Sequence, residues 1–391
     1  MFLTDAEKIK PDLSKWRRLI HEYPETGFNE VKTSALVEEC LKSFGIDCFR
    51  LVNTGVVGVI RGKDDGKTVA LRADMDALSI QEENDVPYKS KNPGVMHACG
   101  HDAHTAMLLG AANILSNKRN LLNGNVKLIF QPAEEGPGGA QPMIDAGVLE
   151  NPHVDAAFAL HMISDIEAGK IGISYGQTHA ASSKFTLVLK GLAGHVAKPH
   201  KAIDTITMAA EVIQAIQRIR TRHVDPTETV LIGIGTIKGG DRYNIIADHV
   251  EMEGTLRTLS NEIHKEIPPV MDKVISSIVA SYGGDYELNF MEGYPGGVNE
   301  PAITKFVEES AVKLLGRENV LIKSHPSMGG EDFSCFLQKV PGAFIRVGGG
   351  GEGFNSPLHH PKFDLNEESL VTGSALLCQI ACDYLTGING I

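Results

Sequence analysis

Apolar and polar positions change their rhythm twice along the 391 residues. Up to about residue 180, short apolar runs alternate with stretches of helical periodicity, the pattern of a mainly parallel sheet covered by helices. Val56–Arg61, Thr68–Ala73, Val126–Phe130 and Ala156–Leu160 predict strands, and Val31–Phe44 and Thr105–Ser116 predict helices. From Lys184 to about Tyr294 the order becomes strand (FTLVLKGL), helix (Ile203–Arg220), two strands (TVLIGIGTI, HVEMEGTLRTL), helix (Ile263–Tyr282) and strand (YELNFMEGY). That β-α-β-β-α-β order predicts a ferredoxin-like α+β domain inserted into an α/β domain. Pro268 and Pro269 require its second helix to start or kink at them. After Pro295 a helix (Thr304–Leu315) and a strand (Gly342–Val347) resume the first rhythm, giving an expected division into 1–182 with 296–391, and 183–295. The stretch GGGGEG, residues 348–353, predicts a flexible loop.

Composition narrows the class. Apolar residues at 42% and charged residues at 22% exclude a disordered or fibrous chain. Lys and Arg number 37 against 49 Asp and Glu, a net charge of −12 without a basic run, so nucleic acid is not an expected partner. Charges interrupt the N-terminus, and no stretch of about 18 apolar residues occurs, so neither a signal peptide nor a membrane partner is expected and the reading is cytoplasmic. The six cysteines (Cys40, Cys48, Cys99, Cys335, Cys378, Cys382) are too sparse for a disulfide framework.

The chemistry concentrates in MHACGHDAHTAMLLGAA, which places His97, Cys99, His101, Asp102 and His104 within eight residues ahead of a helix. Cys99 and His101, two apart in a loop, can face one metal ion. Asp102 reads equally as the N-cap of that helix and His104 as a helix-face histidine. Asp74 and Asp76 follow one predicted strand, Glu134 and Glu135 a second, and His161 a third, so three strands deliver ligand-type side chains to the edge where α/β sheets bind ligands. With Cys99 and His101 this is the ligand set of a two-metal hydrolase, in which one of two adjacent glutamates holds metal and the other accepts a proton from water. No nucleophile elbow, P-loop or dinucleotide fingerprint is present.

RRLIHEYPETGFNE, LRADMDAL, MHACGHDAHTAMLLGAA, QPAEEGPGGA, GLAGHVAKPH, NIIADHVEMEGTLRT, GGEDFS and LHHPKFD together resemble, in order and spacing, the aminoacylase and carboxypeptidase superfamily of di-metal amidohydrolases. The branch most similar contains the N-acyl-L-amino-acid amidohydrolases, hippurate hydrolases and auxin-conjugate hydrolases. The resemblance implies metal-dependent cleavage of N-acyl amino acids by two divalent ions, Zn2+ or Mn2+. It implies Cys99, His101, Glu135, His161 and His359 as metal ligands, with His360 the alternative one residue on, and Glu134 as general base. It further implies that the inserted domain is a lid and dimerisation domain in a homodimer. His195 would stabilise the oxyanion in the partner's site, and Asn244 and Arg257 would hold the substrate carboxylate. Gly191–Gly194 and Gly293–Gly297 are hinge candidates for lid closure. Rival readings are a dipeptidase or aminobenzoyl-glutamate-type hydrolase, and a non-catalytic sensor of acyl amino acids or metal.

Overall fold

The computed structural model describes residues 1–323 and 325–387. Along the chain come α1 (Phe2–Lys8), α2 (Lys10–Glu22), α3 (Val31–Ser43), β1 (Asp47–Leu51), β2 (Gly55–Arg61), β3 (Thr68–Asp74), α4 (His101–Ser116), β4 (Asn125–Gln131), α5 (Ala140–Asp145), β5 (Ala156–Glu167), β6 (Ile171–Ile173) and β7 (Gly176–His179). There follow β8 (Ala181–Lys190), β9 (Gly194–His195), α6 (Thr205–Arg222), β10 (Val230–Gly239), β11 (Ile245–Ile246), β12 (His249–Thr258), α7 (Asn261–Tyr282) and β13 (Asp285–Glu292). The last stretch holds β14 (Gly297–Asn299), α8 (Pro301–Leu315), β15 (Val320–Ile322), α9 (Phe333–Leu337), β16 (Gly342–Gly350) and α10 (Glu368–Thr386). These elements form two units, one of Met1–Thr178, Val298–His325 and the chain from Asp332 on, the other of His179–Gly297 and Pro326–Glu331.

The first unit is a mixed α/β layer structure around an eight-stranded sheet in the order β1-β2-β4-β3-β5-β16-β6-β15. Its centre, β4-β3-β5-β16, is parallel, while β1–β2, β2–β4 and β16–β6 pair antiparallel. The whole of β3 is buried, as a central parallel strand covered on both faces requires. Leu71, Leu128 and Phe158 face a core shared with α4 and α10, and the alternate residues Ala70, Ile129 and Ala157 face a second core shared with α5 and α9. α10 is buried along nearly its whole length, so it has no polar stripe and no amphipathic signal in the sequence.

The second unit is the ferredoxin-like domain. Its sheet runs β10-β12-β8-β13, antiparallel throughout, and a core of Phe185, Leu187, Met208, Ile216 and Met271 joins it to α6 and α7. The segment 326–331 is held within this unit, where Ala180 N donates to Gly329 O and Arg257 to Met328 O.

Four local expectations are corrected. α4 begins at His101 rather than Thr105, because the turn is made by Gly100 in the left-handed region (φ 86°) and the helix starts directly after it. α7 does not start at Pro268 and Pro269 but runs through them from Asn261. Ile267, Met271, Ile275 and Val279 stay buried in register, so packing outweighs the two missing backbone donors. β5 extends to Glu167, well past Leu160. Gly348, Gly349 and Gly350 are strand, not loop: a Cβ on them would come within 2.1 Å of Glu167 O, 2.4 Å of Met162 Cε and 2.2 Å of Ser164 O, so glycine is what lets β16 lie against β5. Among the described residues no helix is long and apolar enough to cross a membrane.

Candidate metal centre

Because β4, β3 and β5 are adjacent and parallel, their carboxyl ends open on one edge of the first unit. β3 ends at Asp74 with Asp76 two residues on, and β4 leads through Pro132 and Ala133 into Glu134 and Glu135. His161 lies within β5 rather than beyond it, and Cys99 sits in the turn ahead of α4, whose first residue is His101.

These side chains converge. Cys99, His101 and His161 each offer a donor atom, all within 4.8 Å of one another; so do Cys99, Glu135 and His359, and so do His101, Glu134 and Glu135. Cys99 Sγ lies 3.5 Å from His161 Nε2 and 3.3 Å from His359 Nε2. Glu135 Oε1 is 3.0 Å from His359 Nε2 and 3.9 Å from His101 Nε2. His360 stands outside the cluster, exposed, its Nδ1 accepting from Lys362 N.

The donors are oriented from behind. His101 Nδ1 lies 3.2 Å from Asp76 Oδ1, which turns the ring so that Nε2 faces Glu135. Asp76 also accepts from Glu134 N and Glu135 N at 3.0 and 2.9 Å, so one carboxylate fixes a histidine and the glutamate turn together. Glu30 accepts from Ala133 N (2.9 Å), supporting that residue's left-handed backbone (φ 57°) directly before Glu134. His161 donates through Nδ1 to Met162 O (2.7 Å), and Met162 N donates to His104 Nε2 (2.7 Å). His104 in turn gives its Nδ1 proton to Asp74 (2.5 Å), whose other oxygen takes Arg72 Nη1 at 2.7 Å.

Two observations show that this set fits cations. Two of the donor groups share Cys99, as a thiolate common to two ions requires. In addition, His101 Nε2 is buried without a hydrogen-bond partner, whereas buried polar atoms are normally satisfied. Burial pushes the Cys99 thiol well above its usual range and holds the His161 imidazole well below its own, so the metal-free cluster keeps a protonated sulfur beside a neutral ring. The hydrogen-bonding partner Glu135 raises the His359 pKa.

The remaining candidates lie elsewhere. His195 lies in the two-stranded ribbon β9–β11 of the second unit, where it pairs with Ile245; Asn244 directly precedes β11 and its O accepts from Val196 N. His195 is exposed and Asn244 half-buried. Arg257, on β12, is half-buried with Nη1 donating to Met328 O at 2.7 Å. Asp102 is no N-cap; it is buried and accepts from Arg17 Nε (2.9 Å) and His21 Nδ1 (2.8 Å). His97 joins none of these donor groups, and burial lowers its pKa to about 3. The sequence alone gives no role to Arg17, His21, Glu30 or Arg72, although RRLIHEYPETGFNE and LRADMDAL contain all four.

Residues 70–383 match the sequence profile of peptidase family M20/M25/M40. Thermostable carboxypeptidase 1 of Saccharolobus solfataricus is 42% identical over 387 residues, covering 97% of each chain. An N-acyl-L-amino acid amidohydrolase of Geobacillus stearothermophilus is 43% identical over 296 residues, covering 75% of this chain and 80% of that one. Among solved structures, a dinuclear metal binding peptidase of the M20 family from Bacillus subtilis superposes with a TM-score of 0.86 at 35% identity, covering 98% of this chain and 100% of that one.

Proposed function

Because the chain belongs to the M20/M25/M40 peptidase family, we propose that it is a hydrolase cleaving the amide of N-acyl amino acids to a carboxylic acid and a free amino acid. The observation that carries this reading is the pair of donor groups sharing Cys99 beside the Glu134–Glu135 turn. Cys99, His101, Glu135, His161 and His359 would hold two divalent cations, Zn2+ or Mn2+ by the mixture of thiolate, imidazole and carboxylate. When bound, such ions supply Lewis acidity, polarising the acyl carbonyl and making water easier to deprotonate.

The chain's own groups do the rest. The Glu134 carboxylate takes a proton from water as its oxygen adds to the acyl carbon, and returns a proton to the nitrogen as the C–N bond breaks. Asp76 keeps Glu134 in place through the backbone N–H it accepts from. His195 donates to the oxygen that gains charge, and Asn244 and Arg257 bind the α-carboxylate, for which a guanidinium has the matching fork. In this reading the protein is a homodimer, His195 serves the site of a second copy, the inserted domain acts as lid, and the compartment is the cytoplasm.

The test is release of amino acid from N-acetyl, N-benzoyl and indole-acetyl amino acids by chelator-treated protein before and after Mn2+ or Zn2+ is restored. Cation-dependent release is expected. The similarity to a carboxypeptidase favours one second reading, hydrolysis of unblocked dipeptides. Release from dipeptides but from none of the N-acyl substrates would replace the first reading with it, and silence on both with cation bound would reject the assignment as an enzyme of this substrate class.

A further inference from the structure

His359 holds a left-handed backbone conformation, φ 63°, that a β-carbon disfavours and that persists only where the surroundings impose it. Contacts on both sides of the residue impose it. His359 N donates to Ala98 O (2.7 Å), one residue before Cys99. Beyond it, Glu83 N donates to Pro361 O (2.9 Å) and Asn84 Nδ2 to Phe363 O (2.8 Å). The loop is then tied down at Asp364, whose Oδ2 accepts from Tyr88 OH (2.8 Å) and whose Oδ1 accepts from Arg17 Nη2 (2.6 Å). Arg17 is fully buried, and its Nε reaches Asp102, the neighbour of His101. One guanidinium thus joins the segment that carries Cys99 and His101 to the segment that carries His359, more than 250 residues later in the chain.

A buried arginine could serve folding alone. What argues for more is that the two ends are not equally dependent on it. Asp102 is also held by His21 and lies in the first turn of α4, and His161 is fixed separately through the Met162 peptide and His104. The 359–364 loop has no regular secondary structure; besides the His359 N bond to Ala98 O and the buried ring of Phe363, it is held by Tyr88, Asn84, Glu83 and Arg17.

We propose that Arg17, Tyr88 and Asp364 form a clamp that positions His359, and that the clamp sets the affinity of one cation position, the one His359 completes with Cys99 and Glu135, without setting that of the Cys99, His101 and His161 position. The inference rests on the ligand assignment proposed above. Outer-sphere groups that orient a ligand are typically worth 10- to 100-fold in metal affinity.

The experiment uses the full chain, stripped with chelator and equilibrated with buffered free Zn2+, with zinc per chain measured across a range of free concentration. Wild type is expected to fill two positions. His359→Ala should retain one at concentrations that saturate wild type. Tyr88→Phe, which removes a single hydroxyl, and Asp364→Asn should weaken that same position by about 10- to 100-fold, leave the other unchanged, and leave the melting temperature of the metal-free Tyr88→Phe chain near that of wild type. Two positions retained in His359→Ala would overturn the ligand assignment and the clamp with it. One position lost in His359→Ala but both kept at wild-type affinity in Tyr88→Phe and Asp364→Asn would overturn the clamp alone. Parallel weakening of both positions would reduce it to general loosening of the fold. Should Asp364→Asn fail to fold, Tyr88→Phe decides.

Discussion

The two units present their candidate residues in opposite ways. In the first, every proposed ligand but His359 is largely withdrawn from water, and three are oriented from behind: His101 and Glu135 by Asp76, and His161 by the Met162 peptide. In the second, His195 is exposed on a two-stranded ribbon and Arg257 touches one backbone carbonyl. The first arrangement is costly to desolvate and so must be completed by something it binds, whereas the second can stand in water without a partner. The function proposed above assigns preorganisation to the first unit and recruitment of substrate to the second.

The largest effect should follow from removing the group that both donor sets share. Cys99→Ala is expected to lose both cations and all measurable amide hydrolysis, with zinc content and turnover measured on one preparation. Retention of a full cation complement would show that the shared sulfur is incidental to the cluster. Next comes Glu134→Gln, expected to lower kcat about 10²- to 10⁴-fold while zinc per chain stays at the wild-type value. Loss of metal together with activity would make Glu134 a ligand and break the division of labour between the two glutamates.

The second unit gives the sharper contrast. His195→Ala is expected to cost about 10²- to 10³-fold in kcat with unchanged metal content, the range for a lost oxyanion donor. If His195 serves a partner's site, mixing Glu134→Gln with His195→Ala chains should create hybrid dimers with one intact site and restore part of the activity. Mixtures as inactive as their components would place His195 in the site of its own chain.

The same contrast governs what the sequence could reveal. Strands Gly55–Arg61, Thr68–Asp74 and Asn125–Gln131 were legible because β-branched and apolar runs bounded by turn residues have few alternatives. Cys99, His101 and the glutamate pair were legible because their side chains are of types that rarely cluster without a reason. The orienting groups were not. Arg17 and His21, four apart on α2, look like an exposed charged stripe, and only the fold shows them buried against Asp102. Asp102 itself sat where an N-cap is expected, and its displacement by Gly100 depends on a backbone angle that composition does not encode. Likewise Gly348–Gly350 read as loop because their value lies in the absence of side chains next to β5, a tertiary fact.

The smallest effect probes the buried charge behind the metal site rather than the site itself. Burial works against a charged His21 ring, yet hydrogen bonds to Asp102 (2.8 Å) and Glu82 (3.2 Å) raise its pKa from 6.5 to about 9. A group whose pKa is raised on folding binds its proton more tightly in the native state, so the stability it gives is complete below about pH 6.5 and is lost as pH climbs through 9. At one pKa unit to 1.36 kcal/mol this is about 3 kcal/mol at most. Denaturant unfolding of metal-free protein at pH 6 and pH 9.5 should therefore show wild type losing more stability over that interval than His21→Gln does. The substituted chain should be weaker at pH 6 and approach wild type at pH 9.5, since by then the native histidine has given up the same charge. Equal pH slopes in the two proteins would mean that His21 is neutral in the native state, leaving Arg17 as the cation that holds Asp102 beside the metal centre.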